Sequence, residues 1–310
     1  MVSFVLLNWN SGNFIYDCLL SIKRQSSKNW ELIIVDNGSK ISDLEELRSF
    51  CLREDIQARW KLLDENKGYA IGMNVGLSLT EGSIMIAMNT DVFLPPYFLE
   101  KLLVFVEKRN TKNLGIIAVP VYRWHYKDNI LSNEKYSDGS SVNIRLSSAS
   151  WNQKKDNMNI LYGSDGSIQI ISRFAYCDVV KEYGEYYDER FNSYFEDTDS
   201  YFKMKSLGYL AVIDDSNRAW HIGSASTSLD GRRKIKRNMR IQMHKNRWYI
   251  FTKFSKKSFL VIFSLLFEDI MRYILYIGLK SIVKNYIEVY NSTSIGYKPF
   301  DVKLKKTFKS

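Results

Sequence analysis

Cysteine and proline are scarce in this sequence, and the usual marks of export are missing. The three cysteines among 310 residues are scattered and show no C-x-x-C spacing, which is typical of reduced thiols in a cytoplasmic protein. Four prolines and sixteen glycines exclude the fibrous and low-complexity classes. The first residues, MVSFVLLNWNSG, contain neither a basic region nor a small-residue cleavage site, so we expect no signal peptide.

Two phosphate-binding fingerprints are also absent. No G-x-G-x-x-G follows the first apolar run, and no G-x-x-x-x-G-K-[ST] occurs in the chain. A nucleotide diphosphate would therefore need a counter-charge other than a glycine-rich cradle. A bound divalent cation would supply that charge.

The composition is that of a folded and basic protein. Hydrophobic residues make up 45% of the chain and aromatic residues 14%, enough for one large α/β domain or two smaller ones. The net charge of +10 is compatible with nucleic acid, an acidic membrane surface or a phosphorylated substrate as partner.

The first ninety residues alternate between short apolar runs and segments with helical spacing. The apolar runs, each too short for a buried helix, are 3–7, 31–36, 60–64 and 83–89. This alternation predicts a parallel sheet with right-handed crossovers, in which ligands bind beyond the carboxyl ends of the strands. Asn8, Asp36 and Asp91 follow three of these runs, so the sequence places them on one rim.

Three carboxylates crowd into four positions at Glu196, Asp197 and Asp199. Neighbouring carboxylates raise each other's pKa and repel, so such crowding needs an explanation. Taken alone, the cluster is compatible with an acidic helix start, a metal site or a catalytic base beside a charged substrate. Asp199 precedes a helical pattern over 200–208, which predicts that it caps that helix.

Six segments together resemble the family-two inverting glycosyltransferases, in particular their bacterial rhamnosyltransferase-like branch. The likeness covers roughly residues 2–250. The segments are VSFVLLNWNSG near the start, LIIVDNGS at 32–39, ENKGYAIGMNVGL at 65–77, MNTDVFLPP at 88–96, YGEYYDERFNSYFEDTDSYFKMKSLGY at 183–209 and HIGSAS at 221–226.

The resemblance implies the α/β GT-A fold, a Rossmann-like and mostly parallel sheet flanked by helices, with a C-terminal helical extension. Residues 1–110 would form the nucleotide-sugar-binding half of this domain and residues 111–255 its acceptor-binding and catalytic half. Residues 256–310 would form a helical, membrane-associating tail.

The resemblance also implies donor and metal sites. Asp91 would be the metal-binding carboxylate of a D-x-D-type triplet, with His221 reaching the metal or the diphosphate, and the cofactor would be Mn²⁺ or Mg²⁺. Thr90 departs from the proline that this branch often has in the triplet. The residues expected to bind the nucleotide or donor are Asn8, Asp36, Asn66, Gly68, Asn74, Asn89, Asp91, Arg232 and Arg233.

The same resemblance assigns catalytic and acceptor-binding roles. Asp197 would be the general base that deprotonates the acceptor hydroxyl, and Glu196 would orient the acceptor. Lys203 stands where the branch usually carries arginine, so charge is kept while bidentate geometry is lost. The residues expected to bind the acceptor are Gly163, Asp165, Gly166 and Glu196.

Residues 258–286 form the most apolar part of the chain, interrupted by Glu268, Asp269 and Arg272. No stretch is long and clean enough to span a bilayer. Basic flanks favour a helix lying in the membrane interface, while a helical pair packed on the catalytic domain or in a dimer stays open.

We therefore expect an inverting, metal-dependent transfer of sugar from dTDP-rhamnose or a UDP-hexose to a glycan carried on a lipid. The product would be a bacterial surface polysaccharide such as O-antigen or capsule, made at the inner face of the cell membrane by a cytoplasmic, peripheral enzyme. Nucleic acid is not an expected partner, and a homodimer stays open.

Two other classes remain as alternatives. A sugar nucleotidyltransferase needs a glycine- and arginine-rich phosphate loop after the first strand, and 8–17 contain none. A non-catalytic basic module that binds membrane or nucleotide would leave Asp36, Asp91 and the acidic cluster without a role.

Overall fold

The computed structural model describes residues 1–109, 113–137, 141–143, 148–150, 160–161, 164–223, 237–254, 266–267, 269 and 277–294. The chain divides into two compact units. The first comprises Met1–Val142 and Ala149–Lys234, and the second comprises Asn143–Ser148 and Ile235–Ser310.

The N-terminal part of the first unit follows the predicted alternation, because each short apolar run becomes a strand and each segment of helical period becomes a helix. Its elements are β1 (Val2–Asn8), α1 (Phe14–Lys23), β2 (Trp30–Asn37), α2 (Ile41–Arg53), β3 (Arg59–Leu63), α3 (Tyr69–Ser78), β4 (Ile84–Met88), β5 (Val92–Phe93) and α4 (Phe98–Arg109).

The rest of the first unit adds shorter strands and two further helices. They are β6 (Leu114–Ala118), β7 (Val121–His125), a 3₁₀ turn (Tyr126–Asp128), β8 (Ile130–Ser137), β9 (Ser141–Asn143), β10 (Ser148–Ser150), β11 (Ile160–Leu161), β12 (Ile168–Ser172), α5 (Arg173–Tyr183), α6 (Glu196–Ser206), β13 (Leu210–Ile213) and β14 (Ala219–His221).

The described strands form one large sheet and two small ones. The large sheet has the order β11-β13-β6-β12-β4-β1-β2-β3. β1 runs parallel to both β2 and β4, β2 runs parallel to β3, and β12 runs antiparallel to its neighbours β4 and β6. The predicted α/β architecture with a mostly parallel sheet is therefore confirmed.

The large sheet is covered on both faces. Side chains alternate along a strand, so Phe4 and Leu6 of β1 join one apolar cluster while Val5 joins another. The first cluster is completed from α1, α2 and α4, and the second from α3, α5 and α6. A parallel sheet buried in this way has its ligand-binding groups only at its strand ends.

A four-stranded sheet with the order β5-β14-β7-β8 carries the second set of polar groups. β14 runs antiparallel to β5, so that His221 lies opposite Val92, one position after Asp91. β14 also pairs in parallel with β7, which places Arg123 beside His221.

The second unit contains the helices α7 (Arg237–Phe254) and α8 (Leu279–Ser294), which pack against each other. A buried carboxylate, Asp269, accepts hydrogen bonds from Arg247 at 2.6 Å, Trp248 at 2.7 Å and Tyr286 at 2.5 Å. Within the described residues no helix is long and apolar enough to cross a membrane. Most of the apolar segment 258–286 lies outside the described residues.

Candidate functional site

The ends of β1 and β2 place a buried carboxylate on the predicted rim. Asp36 Oδ1 accepts a hydrogen bond from Asn8 Nδ2 at 2.7 Å, and Asp36 Oδ2 accepts one from the Ser39 backbone N–H at 3.0 Å. Because β1 and β2 pair in register, Asn8 lies directly opposite Asp36. The carboxylate is thus held in one orientation, with further lone pairs that a ribose or base could use.

Asn37, which sequence reasoning passed over, joins this rim to the loop before α3. Its Nδ2 donates to Asn66 Oδ1 at 3.1 Å and to the Gly68 carbonyl at 3.2 Å, and its Oδ1 accepts from Lys67 N at 2.9 Å. Gly68 has φ +87°, and a Cβ there would lie 1.9 Å from Asn192 Oδ1. Only glycine fits this close approach.

Asn74 lies one turn into α3, and both ends of its amide are bonded to a neighbouring segment. Its Nδ2 donates to the Tyr187 carbonyl at 2.8 Å, and its Oδ1 accepts from the Tyr187 N–H at 2.9 Å. The amide thus ties α3 to the segment that leads into the acidic cluster. Its predicted contact with the nucleotide stays a prediction.

Asp91 and His221 come together across two strands. His221 Nε2 lies 3.1 Å from Asp91 Oδ1, and their side chains are 9% and 12% exposed. Burial lowers the pKa of His221, but the charge and hydrogen bond of Asp91 outweigh it, so that the pKa is raised above its usual value. The structure therefore favours a protonated imidazole in the absence of other ligands.

This pair is suited to part of a divalent-cation site. His221 Nδ1 is buried and makes no hydrogen bond within the described residues. In that part of the chain no three His, Cys, Asp or Glu side chains are grouped closely enough to hold a metal alone. One carboxylate and one imidazole fit an ion whose remaining ligands come from water and a bound diphosphate.

Asn89, the first residue of the predicted triplet, contributes its backbone. Its N–H donates to the Ser167 carbonyl at 2.8 Å, which joins the end of β4 to the turn before β12. Thr90 Oγ1 donates to Ser11 Oγ at 3.0 Å. This hydrogen bond restrains the triplet loop where the branch has proline.

The helix α6 begins at Glu196, so Asp199 lies inside its first turn and does not cap it. The prediction of a capping role was wrong, because a buried partner decides the position of this side chain. Asp199 Oδ2 lies 3.1 Å from Lys203 Nζ, with both side chains fully buried. Lys203 also donates to the carbonyls of Glu185 and Tyr186 at 3.2 and 3.1 Å.

Among the described residues, no cation pairs with the other two carboxylates of the cluster. Burial and the adjacent charge of Asp197 raise the pKa of Glu196, whose Oε2 has no hydrogen-bond partner within the described residues. Burial also raises the pKa of Asp197; the Thr198 N–H opposes this rise, and the charge of Asp165 adds to it. Both carboxyl groups are therefore better proton acceptors near neutral pH than ordinary carboxylates.

The turn that precedes β12 lies against Asp197. Asp165 Oδ1 accepts from the Ser167 N–H at 2.8 Å and from its hydroxyl at 2.5 Å. A Cβ on Gly166 would lie 3.0 Å from Asp197 Oδ2, so the missing side chain permits this contact. Gly163, Arg232 and Arg233 lie outside the described residues.

Gln169 is a second residue that sequence reasoning missed. It lies fully buried on β12, accepts hydrogen bonds at 2.8 Å from the hydroxyls of Tyr186 and Tyr187, and donates to Ser200 Oγ at 3.3 Å. Ser200 Oγ in turn donates to the Asp197 carbonyl at 2.8 Å. This network anchors the start of α6 to the sheet, and its only sequence signal is a polar residue inside the apolar run SIQIIS.

Part of the chain matches the model of a known protein family. Residues 3–139 match the family model described as Glycosyl transferase family 2. The likeness to this family covers the N-terminal part of the chain. The matched region contains Asn8, Asp36 and Asp91, and it ends before the acidic cluster of α6.

A curated relative and two solved structures extend this likeness. The chain is 25% identical over 193 residues to a teichoic acid poly(glycerol phosphate) polymerase of Staphylococcus epidermidis, covering 62% of this chain and 24% of that protein. GalNAc-T7, solved with UDP, GalNAc and Mn²⁺, superposes with a TM-score of 0.65 at 13% identity, covering 96% of this chain and 58% of that one. The mannosyltransferase PcManGT of Pyrobaculum calidifontis, solved with GDP-Man and Mn²⁺, gives 0.56 at 14% identity, covering 96% and 76%.

These likenesses confirm the GT-A fold of the chain. The chain spans less than half the length of the curated relatives that it matches, beginning with 24% and 34%. The rhamnosyltransferase-like branch is not confirmed by them and stays a prediction.

Proposed function

We propose that this protein is an inverting glycosyltransferase that moves a sugar from a nucleotide diphosphate to a glycan acceptor. The observation that carries the proposal is the turn before β12, which touches both the triplet loop and the acidic cluster. The Ser167 carbonyl of this turn accepts from the Asn89 N–H at 2.8 Å, and a Cβ on Gly166 would lie 3.0 Å from Asp197 Oδ2. A pair suited to a diphosphate-bound cation and a carboxyl group suited to general base catalysis are therefore close neighbours.

Asp197 would act on the acceptor. Its carboxylate takes the proton of the acceptor hydroxyl as that oxygen forms a bond to the anomeric carbon, and the bond to the diphosphate oxygen breaks on the opposite face. The raised pKa of Asp197 suits a base that works near neutral pH. Glu196, which shares the site, would orient the acceptor by accepting a hydrogen bond from a second hydroxyl.

Asp36 and Asn8 would hold the nucleoside, and the loop tied by Asn37 would close on it. A divalent cation, Mn²⁺ or Mg²⁺, would neutralise charge on the departing diphosphate when held by Asp91 and His221. PcManGT was solved with GDP-Man and Mn²⁺, and GalNAc-T7 with UDP, GalNAc and Mn²⁺. These two neighbours support a nucleotide-sugar donor and a divalent cation here.

For the substrates, dTDP-rhamnose or a UDP-hexose is the proposed donor and a lipid-linked glycan the proposed acceptor. The teichoic acid polymerase among the relatives supports a role in cell-surface polysaccharide synthesis. We place the reaction at the inner face of the cell membrane. The likeness to family 2 favours a transferase over a nucleotidyltransferase or a non-catalytic module.

The test is single-turnover transfer with a panel of nucleotide sugars and Mn²⁺. With the donor that reacts, Asp197→Asn should lose about a hundredfold or more in rate, the usual range for a general base, while the protein stays folded and keeps its nucleotide affinity. Asp128→Asn, an exposed aspartate on the 3₁₀ turn, is the matched control. A folded Asp197→Asn protein that transfers sugar at the parental rate would contradict the assignment.

A further inference from the structure

Helix α8 has an apolar surface wider than the face with which it packs. Ile282, Asn285 and Val289 are each only 3% exposed and form its buried line. At about 100° per residue, a second line of large apolar side chains lies roughly a third of a turn away from the first. We call this second line the α8 stripe; it consists of Leu279 (59% exposed), Val283 (45%), Ile287 (56%) and Tyr290 (73%).

The α8 stripe borders a basic groove. An open depression of about 790 Å³ lies along α8, with Val283 and Ile287 on its apolar side and the cations Arg237, Lys280 and Lys284 around it. The carboxylate in the same lining, Glu288, is matched by Lys245 at 2.8 Å. The groove therefore has a net positive charge.

We propose that the α8 stripe and this groove dock onto a bilayer surface that contains anionic phospholipids. An apolar stripe bordered by lysine and arginine is the pattern of a helix that lies in the membrane interface. Lipid phosphates would contact Arg237, Lys280 and Lys284, while the four apolar side chains reach between the headgroups.

A second copy of this chain fits the same surface less well. In a two-fold symmetric dimer built on α8, the basic groove of one copy would face the basic groove of the other. Like charges brought together without counter-charge oppose association. Charge complementarity thus favours the anionic lipid surface.

The inference deepens the membrane contact in the proposed function, but it uses none of the catalytic residues. It also places the contact at 279–290 and Arg237, which overlaps the end of the segment 258–286 that the sequence indicated and extends beyond it. The loss of vesicle binding can therefore be distinguished from the loss of sugar transfer.

The experiment is co-sedimentation of the full chain with phosphatidylcholine vesicles, with and without phosphatidylglycerol. The parental protein should bind only the vesicles that contain phosphatidylglycerol, and binding should weaken with added salt. Val283→Glu/Ile287→Glu should abolish binding, and Lys280→Gln/Lys284→Gln should weaken it about tenfold or more. Free inorganic phosphate should not displace the protein from vesicles.

Two controls keep the outcome unambiguous. Ile41→Glu/Leu52→Glu changes two apolar residues on α2 that are even more exposed, at 75% and 83%, and should bind vesicles like the parent. Asp197→Asn should also bind fully, whether or not it transfers sugar.

Equal binding by the parent and both α8 variants would overturn the proposal, as would equal binding to uncharged vesicles. A parental dimer in solution that Val283→Glu/Ile287→Glu dissociates, with no vesicle binding, would assign the stripe to a second copy instead. If the glutamate variant does not fold, the lysine variant alone decides, because it changes only exposed charged groups.

Discussion

Replacing Glu196 with glutamine should make the protein more stable, and increasingly so as the pH rises. Glu196 is only 7% exposed and lies beside the carboxylate of Asp197. Its Oε2 has no hydrogen-bond partner among the described residues. Burial and the neighbouring charge both raise the pKa of Glu196. Glutamine keeps the shape and removes the charge.

The sign follows from proton linkage. An unfolded chain titrates Glu196 near its usual pKa of about 4.3, whereas the folded protein keeps the proton to a higher pH. Between these two values the folded state binds more protons, so its stability falls as the pH rises through the interval and stays lower above it. The glutamine side chain does not titrate, so the variant does not lose stability in this way.

The magnitude follows from the size of one pKa shift. Each unit corresponds to about 1.4 kcal/mol, and burial beside the charge of Asp197 raises the pKa of Glu196 to about 8, so the parent is destabilised by several kcal/mol above that pH. At about 2–4 °C per kcal/mol for a domain of this size, Glu196→Gln should melt several degrees higher at pH 8. At pH 5 the difference should shrink.

The assay is thermal unfolding of parent and variants across pH 5–9. Glu182→Gln, an exposed carboxylate on α5, should not change the melting temperature. Asp199→Asn should instead lower the free energy of unfolding by about 3–5 kcal/mol, because it leaves the fully buried Lys203 ammonium without its partner at 3.1 Å. The reasoning is refuted if Glu196→Gln is no more stable than the parent at pH 8, or if its gain does not grow with pH.

Two further predictions concern the donor side. Asp91→Ala should abolish the rise in melting temperature that UDP or dTDP produces only with Mn²⁺, because the diphosphate charge is no longer compensated, and unchanged stabilisation would disprove the metal assignment. Gly68→Ala should lower the free energy of unfolding more than Gly184→Ala, as measured in urea. Both glycines have φ above +80°, but a Cβ at Gly68 meets Asn192 Oδ1 at 1.9 Å while at Gly184 nothing lies within 4 Å. Equal losses would mean that the contact with Asn192 relaxes freely.

The sequence was sufficient for the parallel half of the sheet, and for one pair on its rim. Strand β1 alternates between two apolar clusters, so its run of apolar residues is uninterrupted and easy to recognise. Asn8 and Asp36 end two such runs and meet because parallel strands in register end together. This pairing can be inferred without knowledge of any other long-range contact.

The residues that the sequence could not reveal depend on distant partners. Asn37 acts through a loop about thirty positions away, and Gln169 through Tyr186, Tyr187 and Ser200. The cap predicted at Asp199 failed for the same reason, because a local rule assigned a side chain that a buried lysine in fact controls. Local propensity says nothing about such long-range pairs.

The three carboxylates of helix α6 thus lie in two different environments. Asp199 and Lys203, four residues apart, form a buried ion pair that also binds the backbone at Glu185 and Tyr186. Glu196 and Asp197 begin the same helix without a cationic partner in the described part of the chain, and their pKa values are raised. A fold under pressure for stability alone would not keep two such carboxylates side by side, whereas a site that must accept a proton near neutral pH requires this environment. The gain in the free energy of unfolding of Glu196→Gln would therefore measure how far the proposed active site destabilises the fold.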